Sequence, residues 1–184
     1  LTDEAFALSR EAVEKALQLE PELAEAHAQL GRIRAAYDWD LKAAEASYER
    51  ALEIAPGSAT ALDGASVLAY KLGNFEQALE LCQRVLDHDP LSAPVWHNLG
   101  LLCHSAGMLD EAESAFLRSL EMPTSGVATN ALLALVVLDR GNSVRAKEHA
   151  NAERDEFWKD WAMAMIEYRE GNTSASDSAL KRLK

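Results

Sequence analysis

Gly73, Gly107 and Gly141 stand 34 residues apart, and Ala44, Ala78, Ala112 and Ala146 keep the same interval. A third column of small residues, Gly31, Ser66, Gly100 and Ala134, steps by 35, 34 and 34. A fourth, of prolines, runs Pro21, Pro56, Pro90 and Pro123 with steps of 35, 34 and 33. A chain that repeats at this period is built from small units that cannot bury their apolar faces alone and must stack. The columns also indicate what each unit contains. Two antiparallel helices approach closely only where small side chains meet at the crossing, which the Gly31 and Ala44 columns supply. Glycine closes the turn between them by taking positive φ, as in Gly-Asn at Gly73, Gly141 and Gly171. Proline after the second helix stops it.

Composition agrees with helix nearly throughout. Of 184 residues, 48% are hydrophobic, and only 5 prolines and 9 glycines punctuate stretches rich in Ala, Leu, Glu and Gln, residues that lose little rotamer freedom in a helix.

Within the clearest unit, Trp96, Leu99, Gly100, Gly107, Ala112 and Phe116 stand at the aromatic, Leu-Gly, turn-glycine, alanine and aromatic positions of the tetratricopeptide repeat, which this segment resembles. Leu62, Ser66, Gly73, Ala78 and Pro90 fit the same pattern, as do Leu30, Gly31, Ala44, Tyr48, Ala51 and Pro56. The resemblance implies an all-α, right-handed α-solenoid of antiparallel helix pairs, about eleven helices in all, of bacterial type. Residues 24–58, 59–92 and 93–126 read as full repeats, and 1–23 as the second helix of a truncated one, with Val13 and Ala16 facing inward. Residues 127–156 read as a degenerate repeat in which Ala150 and Glu153 replace the large and small apolar residues expected, and 157–184 as a degenerate capping repeat. A start at Leu1 in an already helical pattern suggests a fragment of a longer chain.

One irregularity is local: Gly31 to Ala44 spans 13 residues where Ser66 to Ala78 and Gly100 to Ala112 span 12. The extra residue falls in the turn Tyr37-Asp38-Trp39-Asp40, and Trp39 reads as a lid over the helix pair, with an exposed contact residue as the alternative.

The formal net charge of −12 disfavours nucleic acid, whose phosphates require a clustered basic surface. Lys181, Arg182 and Lys184 read instead as favourable charge at the end of a last helix. Cys82 and Cys103 lack metal-type spacing and read as buried thiols. No apolar run spans a membrane and no signal peptide is visible, so the expectation is a cytoplasmic location.

No phosphate loop, zinc-protease helix or nucleophile elbow occurs. His97 and His104 lie two turns apart, about 10 Å, too far to share one metal, and read as polar groove residues. His27 reads as a core or edge residue, and Asn172 in Asn172-Thr173-Ser174 as a helix cap rather than a glycosylation acceptor. The expectation is no catalytic residue, no metal and no cofactor.

In the resembled family, outward positions of the first helices line a concave face that holds a peptide or protein. Carried over, these give Ala28, Arg32, Asp63, Val67, Tyr70, His97, Asn98, Leu101, His104, Ala131, Leu135 and Leu138. The family's carboxylate clamp for chaperones requires Lys and Asn at positions where, over two alignments, only Asn98 agrees, so no clamp is expected. Leu132, Leu135, Val136, Leu138, Trp158, Trp161, Met163 and Met165 read as closing core or as an apolar groove. The functional expectation is a protein-interaction or scaffolding module without catalysis. The alternative is homo-oligomer assembly, such as a homodimer, through the apolar C-terminal end.

Overall fold

A computed structural model describes residues 3–124 and 126–183. Leu1, Ser125 at the end of the best-matched stretch, and Lys184 of the terminal basic group lie outside the described residues. The described residues form eleven α-helices and no strand, the all-α class expected.

The chain divides into two compact units, Leu1–Pro90 and Leu91–Lys184. The first holds α1 (Asp3–Leu19), α2 (Ala24–Ile33), α3 (Leu41–Ile54), α4 (Ala59–Lys71) and α5 (Phe75–His88). The second holds α6 (Ala93–Ser105), α7 (Leu109–Leu120), α8 (Thr129–Asp139), α9 (Ser143–Ala152), α10 (Glu156–Arg169) and α11 (Thr173–Arg182). Helices pair as α2 with α3 and α4 with α5 in the first unit, and as α6 with α7, α8 with α9 and α10 with α11 in the second. First helices also lie beside first helices, α2 against α4, α6 against α8, and α8 against α10.

The small-residue columns set how closely these pairs approach. Ala44, Ala78, Ala112 and Ala146 are all fully buried. The Gly31 column does not meet alanine alone: a Cβ on Gly31 would lie 2.9 Å from the Tyr48 ring, and one on Gly100 2.7 Å from Phe116. A Cβ on Gly64 of α4 would also meet the Tyr48 ring and would lie 2.7 Å from its hydroxyl oxygen. Glycine therefore stands where the second helix brings an aromatic ring. Where the second helix carries the smaller Cys82 or Ala150, the first-helix column holds Ser66 or Ala134, so a Cβ appears in that column only where no aromatic ring faces it.

The turn glycines behave as their type requires. Gly73, Gly107, Gly141 and Gly171 take φ of 80, 76, 83 and 83°, a left-handed conformation that costs a Cβ-bearing residue about 1–2 kcal/mol. Trp39 occupies the same place before α3 with φ 56°. The extra residue of this repeat is absorbed by a π-turn, Arg34–Asp38, whose end brings the Asp40 amide to the Arg34 carbonyl at 3.1 Å. The lid reading of Trp39 is corrected: the ring is 79% exposed, because the π-turn and the left-handed residue after it swing the side chain outward.

Val13 is buried and Ala16 half-buried, both packed with Ala26 and Ile33 as expected of an inward face. Cys82 and Cys103 are buried and in no disulfide. His27 is half-buried at the edge, its Nε2 2.9 Å from the Pro21 carbonyl. Asn172 does sit at the N-cap of α11, yet its amide donates to Glu167 at 2.8 Å instead of capping. Arg182 does more than complement a helix end: its guanidinium grips Asp160 of α10, with Nε 2.9 Å from each carboxylate oxygen, and holds that carboxyl below its usual range.

The departure at Glu153 has a structural cause. Helix α8 starts from Ala128, which has φ 70° and no side chain able to cap. Glu153, only 8% exposed, reaches across from beyond α9 and accepts from the Ala131 amide at 3.3 Å, and from the Arg154 and Asp155 amides at 2.9 and 3.2 Å. A helix N-terminus leaves amides without intrahelical partners, and a carboxylate there is favoured by the helix dipole.

Candidate functional site

The turn glycines supply a register for the first helices that depends on no family. Counting back three, six and ten residues gives Tyr70, Val67 and Asp63 before Gly73, and His104, Leu101 and His97 before Gly107. The same count gives Leu138, Leu135 and Ala131 before Gly141, and Tyr168, Met165 and Trp161 before Gly171. These positions recur at about helical spacing, so each set shares one face of its helix.

In the first unit, Arg32 is exposed, and Asp63, Val67 and Tyr70 are half-buried. Arg32 donates to Gln29, and the Tyr70 and Phe75 rings lie 5.9 Å apart. Arg32 and Asp63 both act electrostatically on Tyr48, whose hydroxyl is pushed up to about 12 mainly by burial, with Arg32 opposing and Asp63 adding to the rise. Ala28 is not a surface position: it is buried against Ala51 and Ala61, beneath α3 and α4.

In the second unit, His97, Asn98, Leu101, His104 and Leu135 are half-buried. Both histidine rings bind the neighbouring repeat. Thr129 spends its hydroxyl proton on the Gly126 carbonyl at 2.7 Å, so His97 Nδ1, 2.8 Å from the Thr129 oxygen, must carry the proton and donate it. His97 also meets Phe116 edge-on at 5.7 Å. His104 Nε2 donates to Asp139 at 2.8 Å, and Asp139 accepts from Arg169 at 2.9 Å, tying α6, α8 and α10 in one line. Burial raises the Asp139 carboxyl, but His104 and Arg169 together bring it below its usual range. Ala131 and Leu138, expected on the surface, are buried, because α10 packs on α8 and covers that face.

Burial lowers the basicity of His97 and His149. An imidazole held neutral by the fold binds its proton later on acidification than the unfolded chain does, so stability falls as pH drops through the ordinary imidazole value of about 6.5. The urea midpoint of the second unit is expected to fall between pH 7 and pH 5.5 and to fall less steeply in His97→Asn. An identical slope in both proteins would exclude His97 as its source.

Phe157, Tyr168 and Glu113 were not singled out by the sequence. The apolar C-terminal set divides: Val136 and Leu138 are core, Leu132, Trp158, Trp161 and Met163 are half-buried, and Met165 and Tyr168 are 44% and 68% exposed. Phe157, Trp158 and Trp161 run edge-to-face at 5.4 and 5.5 Å. Glu113 is a buried carboxylate held by Arg140 and Arg145. Among the described residues no cluster of three metal-ligating side chains exists, and no helix is long and apolar enough to cross a membrane.

The family model described as "Tetratricopeptide repeat" matches residues 59–125. Protein CTR9 homolog of Arabidopsis thaliana is 33% identical over 94 residues, which are 50% of this chain and 8% of that relative, so the chain spans a small part of its length. A solved tetratricopeptide repeat protein from Parabacteroides merdae is 22% identical and superposes over 97% of this chain and 72% of that one, with a TM-score of 0.79. YrrB, whose structure is described as a TPR protein with an unusual peptide-binding site, is 17% identical over 95% of this chain and 91% of its own, with a TM-score of 0.68.

Proposed function

Because the chain is a tetratricopeptide-repeat protein, we propose that it is a protein-interaction module that holds a peptide on the faces of its first helices and catalyses nothing. The repeat fold serves protein–protein interaction and scaffolding in general; the finer reading rests on the second unit. There Leu101, Leu135 and Met165 fall in one register on α6, α8 and α10, flanked by Trp161 and Tyr168 and by the His104–Asp139–Arg169 line. An apolar row beside hydrogen-bonding groups suits a segment with spaced apolar anchors, and exposed aromatics concentrate binding energy. A peptide site described for the similar fold of YrrB supports a peptide as occupant. In the first unit, Arg32, Asp63, Val67 and Tyr70 offer a more polar surface of the same origin. Buried thiols at Cys82 and Cys103 suit a cytoplasmic setting.

Peptides selected from a random library against the chain are expected to lose about tenfold or more in affinity when Trp161→Ala and Tyr168→Ala are combined, with the helical circular dichroism retained. Unchanged affinity would remove this surface from the proposal.

A second reading, self-assembly, draws on the same exposed stripe of Phe157, Met165 and Tyr168, since large apolar patches mark interfaces. Sedimentation across a concentration series separates the two. A dimer abolished by the same double substitution would favour self-assembly, and a strict monomer would remove it.

A further inference from the structure

In the first unit α4 packs on both α3 and α5, and the three helices enclose an open cavity of about 70 Å³ lined by Leu52, Leu68 and Leu81 among others. Helix α3 brings Glu45 and Glu49 to it, one turn apart, while Leu72 and Gln77 close the α4 and α5 side.

Adding 68 residues, two periods of the Ala44 column, carries this arrangement onto α7, α8 and α9 of the second unit. Glu45 becomes Glu113, Leu72 becomes Arg140 and Gln77 becomes Arg145, while Glu49 becomes Leu117. There the chain supplies its own cations: Arg140 and Arg145 both donate to Glu113, the latter at 2.8 Å. Burial alone would raise the Glu113 carboxyl, but Arg145 and Arg140 bring it below its usual range, and the residue is only 8% exposed. The first unit has the reverse balance, two carboxylates and no guanidinium. Glu45 and Glu49 are exposed, and among the described residues neither has an ion-pair partner, Lys42 one turn before Glu45 included.

We infer that this cavity is a docking seat for one arginine side chain of a partner protein, its guanidinium taken by Glu45 and Glu49 and its methylene stem laid on Leu72. The second unit shows the position filled by the same chemistry from within the chain. Arginine suits the seat better than lysine, because its planar fork engages two acceptors at once and is the more weakly hydrated head, and its stem gains from apolar walls. The size agrees: a water in the liquid occupies about 30 Å³, so the cavity admits the head of one side chain and not a helix. None of Arg32, Asp63, Val67 and Tyr70 lines it, which separates the seat from the peptide face proposed above.

The probe is a pool of octapeptides with a single central arginine and uncharged residues elsewhere, passed over the immobilised full chain. Matched pools carry lysine or citrulline, the neutral isostere of arginine. Retention of the arginine pool is expected to exceed that of the citrulline pool about tenfold or more, since charge-assisted hydrogen bonds distinguish them. It should fall by a similar factor in Glu45→Gln with Glu49→Gln, and in Leu72→Arg with Gln77→Arg, which rebuilds the filled arrangement of the second unit. All four residues are exposed, so helical circular dichroism should persist in both variants. Equal retention of the citrulline or lysine pool, or unchanged retention in either variant, overturns the proposal. Loss in Trp161→Ala with Tyr168→Ala also overturns it, assigning the arginine to the first-helix faces instead.

Discussion

Phe116→Ala is expected to destabilise the second unit by about 3–5 kcal/mol, the cost of emptying a large aromatic site in a packed core. Phe116 is fully buried, fills the space left by Gly100 and supports the His97 ring. Because neither glycine nor the histidine can expand into the vacancy, little relaxation is available to soften the loss. The mirror experiment is Gly100→Ala, which places a methyl 2.7 Å from the ring and is expected to cost about 1–3 kcal/mol by overpacking. The two changes together should cost less than their sum, since each relieves the defect of the other. Urea denaturation of the four proteins measures this, and strict additivity would show that the ring and the glycine are not the packing pair described. Repeat arrays lose stability locally, so amide exchange should rise most in the second unit.

Glu153→Ala is expected to cost about 3 kcal/mol, because it leaves the amides of Ala131, Arg154 and Asp155 without their shared acceptor and charge-assisted hydrogen bonds contribute about 1.5–3 kcal/mol. Glu153→Gln keeps the shape and one acceptor oxygen and should recover part of the loss. A loss in Glu153→Ala no larger than at exposed Glu148 would show that the carboxylate does not cap α8.

Periodicity carried the architecture because it is a covalent property: the interval between Gly73 and Gly107 sets where the chain must turn, whatever the neighbours are. On α10 the spacing shrinks to 30 residues, so Tyr168 shares a register with Trp161 and Met165 only when counted back from Gly171 and not forward from the preceding repeat. Glu153 was visible as a breach of the pattern, but its meaning needed the position of the α8 amides, 22 residues earlier in the chain. Trp39 misled because its size suggests burial, while its place in the turn dictates exposure. The surface positions Ala131 and Leu138 failed for a different reason. Helix α8 is apolar on nearly every side, so helical spacing alone cannot tell which face α10 will cover.

The π-turn at Arg34–Asp38 bears on how such an array tolerates length change. An added residue inside an ordinary helix would rotate everything after it by about 100°, turning core positions outward through the rest of that helix. Here the surplus is spent within a single widened turn, and Ala44 arrives at its place as fully buried as Ala78, Ala112 and Ala146. The inter-helix turn therefore acts as an expansion joint: insertions placed there stay private to one repeat and leave a side chain, in this case Trp39, standing out from the array as new surface for selection to use.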